Sequence, residues 1–189
     1  ASNVAVGAYA LDANTEGQYN SALGGHALGG NTTGDNNISV GFNSSKNNTT
    51  GSNNIALGYV ALSTNTTGSQ NVAIGREALE ANTTASNNTA VGYQALEENT
   101  TGNNNVAVGY TAGAAITTGV QNTIIGGLAG DALTDADYNV ALGYAALGSD
   151  TLGSRTVALG YGALAAQNFT SATNAYNTAV GTLAGGAVT

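Results

Sequence analysis

Short apolar triplets alternate with polar stretches along this chain at an interval of seventeen residues. Val4-Ala5-Val6, Ile55-Ala56-Leu57, Val72-Ala73-Ile74 and Val106-Ala107-Val108 each run into a glycine and are followed by segments rich in Asn, Thr, Ser and Gly. Triplets with this β-branched content predict short strands, and the polar segments predict turns. A fixed short period of strand and turn predicts a solenoid, with each repeat forming one coil stacked on the last. The marking glycines are Gly7, Gly24, Gly41, Gly58, Gly75, Gly92, Gly109, Gly126, Gly143 and Gly160, with Gly181 arriving after four extra residues. The expected fold is all-β: one domain over residues 1–189, a parallel β-solenoid (β-roll) of about eleven 17-residue coils. Its last coil is irregular, with an insertion near residues 165–176.

Each column of the repeat has its own chemistry. The residue four before the glycine is Asn3, Asn20, Asn37, Asn54, Asn71, Asn88, Asn105, Asn122, Asn139 or Asn177, with Thr156 as the exception. Equivalent residues of stacked coils lie about 4.8 Å apart, so this column predicts a hydrogen-bonded amide ladder. Within the triplet the outer two residues share one face and the central Ala points the other way. Both faces are then apolar while a coil has one interior, so one face needs a cover, and a second copy of the chain is the expected one. The small Ala suits close approach and is read as the covered outer face.

After the glycine, aromatic residues recur at Phe42, Tyr59, Tyr93, Tyr110, Tyr144 and Tyr161, and Leu recurs three positions further on. Stacked rings of this kind serve either packing or sugar binding. The segments Asn31-Thr32-Thr33-Gly34, Asn48-Thr49-Thr50-Gly51, Asn65-Thr66-Thr67-Gly68 and Asn99-Thr100-Thr101-Gly102 read as turns. Charges fall five residues past the glycine, at Asp12, Lys46, Glu80, Glu97 and Asp131, and never between the ladder Asn and the glycine. The first column is therefore wet and the second dry.

Composition narrows the function. A net charge of -8 opposes nucleic-acid binding, and no segment has the length or amphipathic pattern to enter a membrane. No Cys is present, so thiolate chemistry and disulfides are excluded, and no metal, cofactor or catalytic constellation is expected. Only 7% of residues are charged, as expected where stacked like charges would repel, and Pro is absent because it would remove a donor each coil needs. The absence of Met suggests a piece of a longer product. No polar cap closes either end of the array, which suggests removed flanks or head-to-tail stacking.

The unit Asn-x-Val-Ala-Val-Gly-Tyr-x-Ala-Leu-x-x-Asn-Thr-Thr-Gly, with cores such as Asn54–Gly58 and Asn71–Gly75, resembles the head repeats of trimeric autotransporter adhesins. It resembles still more closely the longer variants found in bacterial and phage tail-fibre proteins. The resemblance covers nearly the whole chain and departs in the longer Asn-Thr-Thr-Gly segment. It implies a left-handed coil, side-by-side trimers, and adhesion to host or matrix surfaces. The expected function is thus a structural or adhesive subunit of an extracellular fibre or surface filament, on a cell surface or a virion. Its partners would be copies of itself, as a side-by-side trimer or a head-to-tail filament.

Other readings rest on particular residues. A row at Thr33, Thr50, Thr67, Thr84, Thr101 and Thr118 suggests an ice-binding solenoid, although each coil would show one outward Thr. Asp131, Asp135 and Asp137 form a tight acidic group, suited to Ca²⁺ or to a solvated turn. His26, without a second His or a Cys, has no partner for a transition metal and reads as a surface residue. Asn31, Asn65, Asn82 and Asn99 lie in glycosylation sequons that double as turn chemistry.

Overall fold

The computed structural model describes residues 2–188 and is all-β, with no helix among them. The strands are β1 (Val4–Val6), β2 (Ser21–Leu23), β3 (Ile38–Val40), β4 (Ile55–Leu57), β5 (Val72–Ile74), β6 (Thr89–Val91), β7 (Val106–Val108), β8 (Thr123–Ile125), β9 (Val140–Leu142), β10 (Gly153–Ser154), β11 (Val157–Leu159), β12 (Thr173–Asn174) and β13 (Thr178–Val180). Eleven of them form one parallel sheet in the order β1 to β9, then β11 and β13, while β10 and β12 form a two-stranded sheet. Neighbours pair in strict register, as in Ile55↔Val72, Ala56↔Ala73 and Leu57↔Ile74. The chain is a β-solenoid with coils about 17 residues apart. Coils are numbered here 1 to 11 by their repeat glycines, Gly7 to Gly181.

The orientation of the strands reverses the sequence expectation. The central residue is the buried one: Ala56, Ala73, Ala90, Ala107, Ala141 and Ala158 are each 0% exposed. Its Val, Ile and Leu neighbours point outward. The cause is volume. A second Ala three residues past the glycine and the Leu after it, as in Ala78-Leu79 and Ala95-Leu96, already fill the narrow interior. Only a methyl group is left room beneath the strand.

The repeat glycines are demanded twice over. Gly75 has φ +134°, and a Cβ there would lie 2.3 Å from the carbonyl oxygen of Gly92 in the next coil. Backbone thus passes directly over backbone at this corner, where no side chain fits. The Leu column turns a further corner in the left-handed region, as at Leu79 with φ 51°. Such conformations cost about 1–2 kcal/mol each. Here Leu79 N donates to Ala95 O of the next coil at 3.1 Å, so the strained corner keeps its backbone hydrogen bond.

Two polar columns run inside. In the column before the strands, Asn54 Oδ1 accepts the backbone N–H of Asn71 at 2.9 Å, and Asn54 Nδ2 donates to Gly68 O at 2.9 Å. The Asn side chains of that column thus mainly tie backbone to backbone. The side-chain amide ladder lies in the segment read from sequence as a turn. Asn31 Nδ2 donates to Asn14 Oδ1 at 2.7 Å, Asn48 to Asn31 at 2.8 Å, Asn65 to Asn48 at 2.7 Å and Asn82 to Asn65 at 2.8 Å. Burying amides is tolerable only because nearly every one is partnered in this way.

Coil 3 and coils 7 and 8 depart from this plan. In coil 3 the interior positions are Ser39, Ser44 and Ser45, all buried, and the apolar core divides there. Ala22, Ala27 and Leu28 form one cluster, and a second begins at Ala56. In coils 7 and 8 Gly113 and Gly130 replace the Leu, while Ile116 and Leu133 replace the ladder Asn. A Cβ on Gly113 would lie 3.0 Å from Ile116 Cδ1, so the isoleucine has taken the vacated space from the opposite wall.

The insertion in coil 10 is tied down by its own network. Buried Asp150 accepts from Gly153 N at 3.1 Å, Phe169 N at 2.9 Å and Gln167 Nε2 at 2.6 Å. Gln167 Oε1 in turn accepts from Asn177 Nδ2 at 2.7 Å. The four extra residues therefore bulge outward as β10 and β12 pair, and β11 still pairs with β13 in register.

Candidate functional site

The outward strand positions build one continuous apolar stripe down the solenoid. Eighteen of the twenty-two are Val, Ile or Leu, and the rest are Ser21, Thr89, Thr123 and Thr178. Val4 is 59% exposed, Leu23 51%, Leu142 48% and Val180 68%. Nine of the eighteen aliphatic side chains are 36–68% exposed and the other nine are half-buried, so they form a contiguous apolar patch of the kind that marks an interaction surface. The stripe carries no charged residue. Its backbone is already paired within the parallel sheet, so a partner would pack on side chains instead of adding a strand.

Each edge of the stripe has its own lining. One edge is the aromatic row after the glycine, where Tyr93 and Tyr110 stack at 5.4 Å and Tyr144 and Tyr161 at 5.7 Å. Arg76 lies between the Tyr59 and Tyr93 rings, 5.6 and 5.7 Å from their centroids. In the pairs Phe42–Tyr59, Tyr93–Tyr110 and Tyr144–Tyr161 each ring spends one face on its neighbour, the packing use of the two expected from sequence, while the rings other than Tyr93 remain about half exposed. The other edge precedes the strands and is mostly carboxamide: Asn36, Asn53, Gln70, Asn87, Asn104 and Gln121, each with φ near 60°.

The threonines divide by position. The first of each doublet spends its hydroxyl on the next coil, as when Thr49 Oγ1 donates to Thr66 O at 2.9 Å. The second, at Thr33, Thr50, Thr67, Thr84, Thr101 and Thr118, is exposed, giving a single file one residue wide. The sequon residues Asn31, Asn65, Asn82 and Asn99 are fully buried ladder members, so a glycan on any of them is incompatible with the folded coil.

Charged groups gather at a separate corner. Carboxylate oxygens of Glu77, Glu80 and Glu97 lie within 4.8 Å of one another, a grouping the linear sequence hides because it joins different columns and coils. Gln94 Nε2 donates to both Glu77 and Glu97 at 3.0 Å, and Arg76 pairs with Glu77 at 2.8 Å. Burial, and then the Glu77 charge, hold the Glu80 and Glu97 carboxyls above the ordinary glutamate value. Burial also raises Asp131. The acids near residue 135 do turn work: Asp135 accepts from the Thr118 hydroxyl, and Asp137 Oδ1 accepts from Val120 N at 2.8 Å. His26 stacks on Tyr9 at 4.8 Å and meets Phe42 edge-on at 6.0 Å, beside a shallow notch bounded by Asp12, Gly29, Gly30 and Lys46.

Comparison of the chain with family models, with curated proteins and with solved structures finds no match.

Proposed function

We propose that this chain is a structural, adhesive segment of an extracellular fibre that associates side by side with copies of itself through the Val/Ile/Leu stripe. The observation that carries the reading is the outward turn of eighteen aliphatic side chains on a chain with only 7% charged residues. Leaving such a stripe in water forgoes about 25 cal/mol per Å² of burial. A matching surface would present ridges at the same coil spacing, about 4.8 Å, and a second copy of this solenoid does so along its whole length. The resemblance of the repeat to adhesin heads and tail fibres supports the same reading, and so does the uniformity of the surface, which suits a rod.

Light scattering across a concentration series tests this. Oligomers are expected for the native chain and monomers for a variant carrying Val106→Glu and Val108→Lys in β7, with circular dichroism unchanged. A native chain that remains monomeric at high concentration would remove the proposal. The single file of exposed threonines favours a second reading, an ice-binding surface. Thermal hysteresis that disappears on Thr67→Val and Thr84→Val replacement would support it instead.

A further inference from the structure

Tyrosine carries the redox chemistry of this chain by default. Cys, Met and Trp are absent, so its nine tyrosines are the side chains that give up an electron most easily. Four of them form two stacked pairs on consecutive coils. The Tyr93 and Tyr110 ring centroids lie 5.4 Å apart with the planes 9° from parallel, and Tyr144 and Tyr161 stack at 5.7 Å and 11°. Tyr110, Tyr144 and Tyr161 are 58%, 51% and 55% exposed, so an oxidant can reach at least one ring of each pair. Among the described residues the other five tyrosines stack on no tyrosine. Tyr9 stacks on His26, Tyr59 meets Phe42 and Arg76, and Tyr138 meets Arg155. Arg76 in coil 5 separates Tyr59 from Tyr93, and Gly127 in coil 8 separates Tyr110 from Tyr144, each time by two coil rises or about 10 Å.

We infer that Tyr93 with Tyr110, and Tyr144 with Tyr161, are sites of oxidative coupling, at which a peroxide-driven one-electron oxidant ties adjacent coils together through a dityrosine bond. Each phenol gives up one electron and its hydroxyl proton, leaving two phenoxyl radicals. A carbon–carbon bond then forms between ring carbons ortho to the two oxygens, and each of those carbons releases its hydrogen as a proton while its oxygen takes one up, restoring both phenols. The pair has lost two electrons and two protons in all, and these reduce one hydrogen peroxide to two waters. Stacking holds the two radicals side by side when they form, the proximity advantage of an intramolecular reaction. The bond closes a loop between residues seventeen apart in sequence, the constraint that a disulfide supplies in chains that have Cys.

Treatment of the folded chain with a haem peroxidase and hydrogen peroxide tests this. Dityrosine is then measured on the single-chain fraction isolated under denaturing conditions, so the result does not depend on the side-by-side reading above. Peptide mass spectrometry should find Tyr93 joined to Tyr110 and Tyr144 joined to Tyr161, each product lighter by two hydrogens. A Tyr93→Phe/Tyr144→Phe variant keeps the stacked rings but removes one phenol from each pair, and its single-chain dityrosine fluorescence should fall at least ten-fold. A Tyr59→Phe/Tyr138→Phe variant should leave that fluorescence unchanged. Dityrosine confined to covalent dimers and larger species, undiminished in the Tyr93→Phe/Tyr144→Phe variant, or absent altogether would overturn the inference.

Discussion

Coil 3 and coil 7 both lose the leucine that fills the interior, and they answer the loss in opposite ways. In coil 7 Gly113 replaces Leu, and Ile116 reaches across from the position that elsewhere holds an amide. Volume is conserved, and the apolar cluster runs through unbroken. The cost is local: Asn99 Oδ1, last in its ladder, finds no donor above it. In coil 3 Ser45 replaces Leu, and nothing reaches in. Ser39 and Ser44 satisfy each other, with Ser39 Oγ donating to Ser44 at 2.7 Å and Ser44 Oγ to Ala56 O at 3.0 Å. Their polar demand is met, but the core is interrupted. In a one-dimensional stack each coil is supported by its neighbours alone, so an interruption isolates whatever lies beyond it.

The largest effect should come from breaking the exchange in coil 7 on one side. Gly113→Leu alone drives a side chain into Ile116 and Leu96, and should cost about 3 kcal/mol or more, read as a fall in Tm. The pair Gly113→Leu/Ile116→Asn restores the common repeat and should recover most of that loss, a coupling of at least about 2 kcal/mol. Additive losses would show that the two positions do not share one space.

Coil 3 should respond in the opposite direction. Ser39→Ala/Ser44→Ala/Ser45→Leu removes a self-contained polar pair and restores a buried leucine, and should stabilise by about 2–3 kcal/mol. For a chain of this length that corresponds to a rise of about 4–12 °C in Tm. Hydrogen exchange of the native chain should show the amides of β1 to β3 opening before those of β5 to β9. Uniform protection along the stack would contradict the interruption.

The smallest effect concerns the Glu77, Glu80 and Glu97 corner in the continuous part of the stack. With folded-state values raised above the ordinary glutamate 4.5, Glu80 and Glu97 bind protons more tightly folded than unfolded. Their contribution therefore favours folding below the ordinary range and is lost as pH rises through the raised values. Glu97→Gln should flatten that slope and lift Tm at neutral pH by no more than about 2 °C, because these side chains are only half-buried and solvent still screens their charges. A steeper slope in the variant would contradict the direction.

The period, the strand positions, the repeat glycines and the polar column before each strand were legible because each recurs at one interval. The orientation of the strand was not. Alternation shows that Val72 and Ile74 share a face opposite Ala73, but which face is inside depends on the space that Ala78 and Leu79 leave from another wall. The absence of charge along the strands identified a dry surface without showing whether the chain's own core or a partner keeps it dry. Asn31, Asn48 and Asn65 read as turn residues because Asn-Thr-Thr-Gly has turn chemistry, and only the stacking of coils shows their side chains pointing inward.

Thiol labelling of Ala73→Cys and Ile74→Cys variants tests the central claim, that the small residue faces the core and the large ones face a partner. The account predicts that the Ala73→Cys variant stays silent until the chain unfolds, while the Ile74→Cys variant labels rapidly at high dilution and becomes protected as concentration rises. Rapid labelling at position 73 with protection at position 74 in dilute folded protein would contradict it.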